Sequence, residues 1–324
     1  MNKKTKNLLI VATLFVIIGI IIFGVAMTIM KWDFSKLSTE KYETNVFEVT
    51  EDFSNISIDV ISADVVFVPS TGEKTIVTCY EKTKVKHAVS VIDGVLTISS
   101  EDTRKWYDYV SINFKKPKLT VSVPAGQYGA LNIKNDTGDI EIGSEFSFAT
   151  VNICVSTGAV KFSASSVGLT KIEGSTSEIT LENVTLGALE VKVSTGKIVA
   201  RDLSVLDSVS ISVSTGETEL KNVYCKNLIS SGRTGDIELE NVVASGIFDI
   251  KRRTGDVEFT RCDAMEIYVT TSTGDVEGSF LSDKVFITGT SSGKISVPQS
   301  ITGGRCEIKT STGNIKISIV WYNN

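Results

Sequence analysis

The stretch Val269-Thr270-Thr271-Ser272-Thr273-Gly274-Asp275-Val276 decides the fold, because its Thr-Gly corner returns every 19 or 20 residues. The corner stands at Thr137-Gly138, Thr157-Gly158, Thr195-Gly196, Thr215-Gly216, Thr234-Gly235, Thr254-Gly255, Thr273-Gly274 and Thr312-Gly313. Altered copies fill the gaps at Thr176-Ser177 and Ser292-Gly293. A period this regular means stacked repeats, in which each unit buries its apolar face only against its neighbours.

Outward from the corner, the same columns recur. Before the glycine come apolar pairs such as Leu131 and Ile133, Leu189 and Val191, Phe248 and Ile250. After it come Ile140 and Ile142, Ile237 and Leu239, Val257 and Phe259. Alternation at period two, carried by β-branched and aromatic residues, is the strand signature. No unit contains a helical pattern, and the returns are too short for a crossover helix. The expected fold is therefore all-β: a single-chain parallel β-solenoid of about ten coils, stacked in chain order. Right-handed winding is expected from the crossover rule. The glycines at the corners (Gly138, Gly158, Gly196, Gly216, Gly235, Gly255, Gly274, Gly293 and Gly313) are read as positions that need φ > 0. Ser177 breaks the pattern, and a locally altered turn is expected there.

The template begins earlier, at Ile56, Ile58 and Val60, with Ala63 in the glycine position. Between Ala63 and Gly138 lie alternating runs at Thr75–Tyr80, Ala88–Ile92, Val95–Ile98, Val110–Phe114 and Leu119–Val123, with a hairpin signal at Asp93-Gly94. A β-rich cap that protects the open end of the solenoid is expected there. Trp321 and Tyr322 are expected to cover the other end.

Residues Leu8 to Met30 carry no charge and follow Lys3, Lys4 and Lys6. As a helix this segment spans about 34 Å, enough for a bilayer core of about 30 Å. The preceding lysines favour a cytoplasmic N-terminus and an extracytoplasmic remainder. An uncleaved anchor is the leading reading and a cleaved signal peptide the competing one. The organisation is thus a cytoplasmic N-terminus at 1–7, a transmembrane helix at 8–30, a stalk at 31–45, a β-rich cap with the first coil at 46–130, and the repeat solenoid at 131–324.

The chain carries a formal charge of −5; the first 30 residues hold three lysines and no acid, so the remainder carries −8. That excludes a basic nucleic-acid grip. The five cysteines (Cys79, Cys154, Cys225, Cys262 and Cys306) occupy different places in the repeat, so isolated thiols are expected. With one histidine, His87, and no Cys-x-x-Cys, no zinc site is expected. The residue after the glycine is often acidic. Asp236, Asp256 and Asp275 fall in consecutive coils as a surface ladder. Stacked carboxylates are the right chemistry for calcium and imitate a glycosidase pair. Arg233, Arg252 and Arg253 stand beside them, and a solvated, charge-paired face is the favoured reading. The aromatic cluster Trp106-Tyr107-Asp108-Tyr109 is expected to pack a cap. No catalytic, cofactor or metal residues are assigned, and no enzymatic activity is expected.

The repeated Ser-Thr-Gly-Asp-Ile/Val pattern, the Asp93-Gly94-Val95-Leu96-Thr97-Ile98 element and the N-terminal span together resemble a bacterial β-strand-repeat family of unknown function, labelled candidate adhesin. The resemblance covers roughly Phe47 to Ile319. It implies a β-solenoid exported to the bacterial envelope and implies no activity. Three functional readings follow. The first is a membrane-anchored structural or binding module, with a cell-wall polymer or envelope protein as partner. The second is an accessory envelope sensor or regulator that works through a membrane partner. The third is a polysaccharide-active enzyme.

Overall fold

A strand that alternates apolar and polar residues has one face to bury. In this chain the opposing strands of the same coil supply the cover. The computed structural model describes residues 2–33, 40–109 and 115–320. The run read at Val110–Phe114, residues 34–39 of the stalk, and the end cover assigned to Trp321 and Tyr322 lie outside the described residues.

Among the described residues, the helix α1 (Lys3–Ile29) is followed by twenty-one strands that form one continuous sheet. They are β1 (Tyr42–Val49), β2 (Asn55–Ser62), β3 (Asp64–Pro69), β4 (Thr75–Lys82), β5 (Val85–Ile92), β6 (Val95–Asp102), β7 (Lys118–Val123), β8 (Gly126–Thr137), β9 (Ile140–Ile142), β10 (Phe146–Phe162) and β11 (Ser165–Val205). After these come β12 (Ser208–Thr215), β13 (Thr218–Cys225), β14 (Asn227–Thr234), β15 (Ile237–Thr254), β16 (Val257–Thr273), β17 (Val276–Phe280), β18 (Lys284–Ser292), β19 (Ile295–Ser296), β20 (Gly304–Thr312) and β21 (Ile315–Ile319). From β8 to β17 the coils stack parallel and in chain order, corner upon corner. Thr195 pairs with Thr215, Thr215 with Thr234, Thr234 with Thr254, and Thr254 with Thr273. The inward residues make one core. Phe248, Phe259 and Phe280 are fully buried, with ring centroids 6.3 and 5.0 Å apart. Truncating a side chain of that kind costs about 3–5 kcal/mol.

Both ends depart from chain order. At the C-terminal end, β20 lies between β16 and β18, and β21 lies between β17 and β19. The last coil, 304–319, is therefore threaded inside the coil before it, 284–296. This corrects the expectation that successive coils stack directly. Polarity supplies the reason. Both coils turn a threonine inward at the same place, Thr310 and Thr290, but the threaded coil has buried Ile308 where the outer one has Thr288, and the outer one leaves Ile295 45% exposed. The more apolar coil takes the slot with neighbours on both sides. The polar one takes the edge, where a short strand and a following Pro298 discourage further pairing.

The N-terminal end uses the same device. The first template coil, β2–β3, is flanked by β6–β7 on one side and β8–β9 on the other. Its corner holds Ala63 in the glycine place, and the Ala63 N–H donates to the Thr137 carbonyl at 3.1 Å. Beyond β6–β7 the pairing turns antiparallel. β4 lies on β7, β1 on β4, and β5 on β6. The β5–β6 turn carries Asp93 and Gly94 at φ 50° and 73°, the left-handed pair of a type I′ hairpin. β1 opens at Tyr42, inside the segment read as stalk, because the Tyr42 ring stacks on Tyr80 at 5.1 Å.

Candidate functional site

The Thr-Gly corner was the strongest candidate in the sequence, and its geometry is severe. All nine corner glycines lie at φ between 123° and 159°, a region open essentially to glycine alone. A Cβ on Gly235 would lie 2.0 Å from the Gly216 carbonyl oxygen. The glycines thus let one rung's backbone close on the next. Ser177 keeps register with Gly158 but is absent from the positive-φ residues. Its side chain turns inward instead, buried and with no hydrogen-bond partner for its hydroxyl.

The acidic ladder follows from the same corner. Asp236 Oδ1 accepts from the Asp256 N–H, Asp256 Oδ1 from the Asp275 N–H, and Asp275 Oδ1 from the Asn314 N–H, each at 2.7 Å. Asn314 Oδ1 then accepts from the Lys294 N–H at 3.0 Å. This order, 275 to 314 to 294, repeats the threaded stacking of the coils. A carboxylate after the glycine caps a backbone N–H that the corner leaves without a strand partner. That corrects the charge-pairing expectation, since no ion pair joins Arg233, Arg252 or Arg253 to these aspartates among the described residues. Arg252 is instead buried, bonded to Ser230 Oγ at 3.0 Å over the space left by Gly232. Burial lowers its pKa to about 10, partly offset by the charge of Asp236.

A second corner was missed in the sequence. Asn183, Asp202, Asn222, Asn241 and Arg261 all lie at φ between 52° and 57°. All five stand six residues after a corner position, and Asn222 Nδ2 reaches Asp202 Oδ1 at 2.7 Å while Asn241 Nδ2 reaches Asn222 Oδ1 at 3.1 Å. Asn and Asp enter the left-handed region more readily than other non-glycine residues. A spaced Asn/Asp column was the available signal.

Beside the aspartates, Glu238, Glu258 and Glu277 stand in register on consecutive rungs. No ion pair joins any of them among the described residues. Desolvation, reinforced by Glu238, Asp256, Asp236 and Glu277, raises the Glu258 pKa. This is an exposed acidic stripe. Elsewhere the surface is charge-paired, as at Lys221–Glu240 (2.7 Å) and Arg201–Glu182 (3.2 Å). Trp106, expected to pack, is 82% exposed on the long corner between β6 and β7.

The cap holds a group that sequence reading did not assemble. β4 turns Cys79 and Glu81 inward and β5 turns His87 inward. The strands meet at a tight corner where Lys82 pairs with Val85. His87 Nδ1 and its backbone N–H both contact Glu81 Oε2, at 2.6 and 2.7 Å, and Asn45 Nδ2 donates to Glu81 Oε1 at 2.6 Å. The same residue types make nucleophilic triads. Here burial, with a smaller push from Glu81, raises the Cys79 thiol to about 12. A protonated thiol closed off from substrate is a poor nucleophile.

Against known proteins, the family described as Toastrack DUF4097 matches residues 53–208 and 199–321. The chain belongs to the Toastrack DUF4097 family. Its matches cover the cap, the ordered coils and the threaded C-terminal end of this Toastrack chain. No protein of curated function matches the sequence. Among solved structures, a candidate adhesin from Bacteroides fragilis NCTC 9343 is 17% identical, with a TM-score of 0.41, over 86% of this chain and 97% of its own. A candidate lipid-binding protein from Parabacteroides distasonis ATCC 8503 is 17% identical, with a TM-score of 0.48, over 74% of this chain and 98% of its own. A candidate adhesin from the same organism is 16% identical, with a TM-score of 0.41, over 86% and 98%.

Proposed function

We propose that the protein is a non-enzymatic structural or binding module of the bacterial envelope, anchored in the membrane by α1, with the solenoid on the extracytoplasmic side. One observation carries the reading. The coils repeat at strand spacing and in register, so equivalent outward side chains form straight columns about 4.8 Å apart. A rigid column surface suits an extended, repetitive partner. The helix, 27 residues long and apolar throughout its central window, meets the length and composition needed to span a bilayer. The three lysines at its N-terminal end, ahead of the apolar segment, set the proposed orientation. The carboxylates that imitate a glycosidase pair are engaged with backbone N–H groups of the next rung, which supports a structural role for them.

The unpaired Glu238–Glu258–Glu277 stripe sets the charge of the partner. It repels a polyanion at that face and favours a neutral glycan chain or a cationic protein segment. The test is capture of wall fragments and membrane proteins by the full chain in native membranes, at low and high salt. Capture of a neutral wall polymer or a basic protein that is lost when all three glutamates become glutamine supports the reading. Binding unaffected by those changes counts against it. A C-terminal alkaline phosphatase fusion tests the orientation. Activity outside the cytoplasm is expected, and its absence removes the extracytoplasmic placement.

A further inference from the structure

Inward positions of this fold are mostly apolar, and the cap sets a carboxylate and an imidazole side by side among them. Thr75, Val77, Cys79 and Glu81 are the inward set of β4, and Val85 and His87 belong to that of β5. The side chains of Glu81 and His87 are each 1% exposed. The Cys79 sulfur, a Glu81 oxygen and a His87 ring nitrogen all lie within 4.8 Å of one another. His87 Nε2 is buried and has no hydrogen-bond partner among the described residues. With Nε2 bare, the ring is held through Nδ1 by Glu81, and an ion takes both Glu81 and the imidazole once that hydrogen bond opens. An apolar residue of similar size would fill either slot without leaving that nitrogen unpaired.

The geometry points to a divalent metal site in the cap, built from Cys79, Glu81 and His87 and suited to Zn²⁺. Thiolate, imidazole and carboxylate together form a borderline-soft set that selects zinc, whereas calcium and magnesium take oxygen ligands. Tetrahedral zinc ligands lie about 3.5 Å from one another, a spacing that ligand atoms already within 4.8 Å reach by small side-chain movements, with the Glu81–His87 contact opening. Water takes the fourth position. Burial keeps Cys79 a thiol in the metal-free protein. On binding, the S–H proton leaves to solvent as the metal–sulfur bond forms, His87 enters as neutral imidazole and Glu81 as carboxylate. No electron changes hands, and affinity rises with pH because a proton is released.

The site joins β4 to β5 across the corner that shields the β6–β7 rung. Asn45 on the edge strand β1 is a positioning residue, since its amide holds Glu81. Fraying of that edge gives an ion its way in. The proposed site departs from the expectation of no zinc site, which rested on residue counts alone, because the fold sets that one histidine beside Cys79 and Glu81.

The full chain in detergent micelles, stripped by a chelator, is titrated first with Co²⁺ and then with Zn²⁺. The expected result is one bound cobalt per chain with a sulfur-to-metal absorption band, displaced by zinc, and a higher melting temperature with metal. Cys79→Ser removes the band. Asn45→Ala weakens binding by about tenfold but keeps it. Cys154→Ser, at a half-buried thiol elsewhere, changes neither. A wild-type chain without the band, or a band that survives Cys79→Ser, overturns the site. If Cys79→Ser does not fold, His87→Gln decides. Lost cobalt affinity supports the site, and unchanged affinity overturns it.

Discussion

The middle of the solenoid and its two ends obey different rules. From β8 to β17 each rung lies on the one before it in sequence, whereas at each end one rung is threaded between two others out of chain order. In the middle a rung has near-equivalent neighbours, and period alone fixes the packing. At an end one side meets solvent, so the polarity of the rung decides which takes the edge. The 284–296 coil, with threonines inward, is the outermost rung of one end. At the other, antiparallel strands close the stack, with Lys74–Glu48 at 2.5 Å and Lys86–Glu43 at 2.6 Å on their outer side.

The sharpest way to break this comparison is in the middle. Gly235→Val places a β-branched side chain at φ 123° with its Cβ against the Gly216 carbonyl. A loss of at least about 3 kcal/mol is expected in denaturant unfolding. Ser177→Gly, at the corner that has already left positive φ, should stay within about 0.5 kcal/mol. At the C-terminal end, Ile308→Ala should cost about 2–5 kcal/mol and Ile295→Ala under about 1 kcal/mol. Stacking in chain order would put 304–319 at the edge and reverse that ranking. Amide exchange, rung by rung, is the suitable readout because long arrays need not unfold in one step.

Smaller effects separate the two corners. Asn222→Val should cost about 1–2 kcal/mol, since a β-branched residue resists φ 53°, and Asn222→Gly should be close to neutral. Asp256→Ala removes the acceptor for the Asp275 N–H and should cost about 1 kcal/mol, while Asp256→Asn keeps an acceptor and much of the stability. The smallest effect is at Glu258, whose folded pKa is raised. A raised carboxyl pKa means that ionisation costs the folded state more than the unfolded one. Glu258→Gln should therefore stabilise the protein slightly at neutral pH. The gain should fade as pH falls through the folded pKa towards the ordinary value of 4.5.

The period was legible because every rung must present the same inward columns, as Leu189 and Val191 or Phe248 and Ile250 do. Rung order was not legible, since a threaded rung satisfies the same columns as one stacked in sequence. Only Thr288, where the threaded coil has Ile308, hinted at which coil would lie outside. The second corner was hidden because Asn222 and Asn241 stand in polar returns where asparagine is common for many reasons. The cap cluster escaped because the alternating runs were closed at Tyr80 and opened at Ala88, one residue short of Glu81 and one past His87. The acidic column was visible as a column. Its role was not, because a carboxylate that caps a backbone N–H looks in sequence like one that binds a cation.

The central claim, that the coils stack with a threaded rung at the end, is tested most directly by paired cysteines. Thr270 and Lys309 are register partners on adjacent rungs, and Gly289 lies on the far side of Lys309. Thr270→Cys with Lys309→Cys should form a disulfide on mild oxidation. Thr270→Cys with Gly289→Cys should not, since two rungs separate them by about 9–10 Å. A disulfide in the second pair and none in the first, read by peptide mapping, would contradict the account.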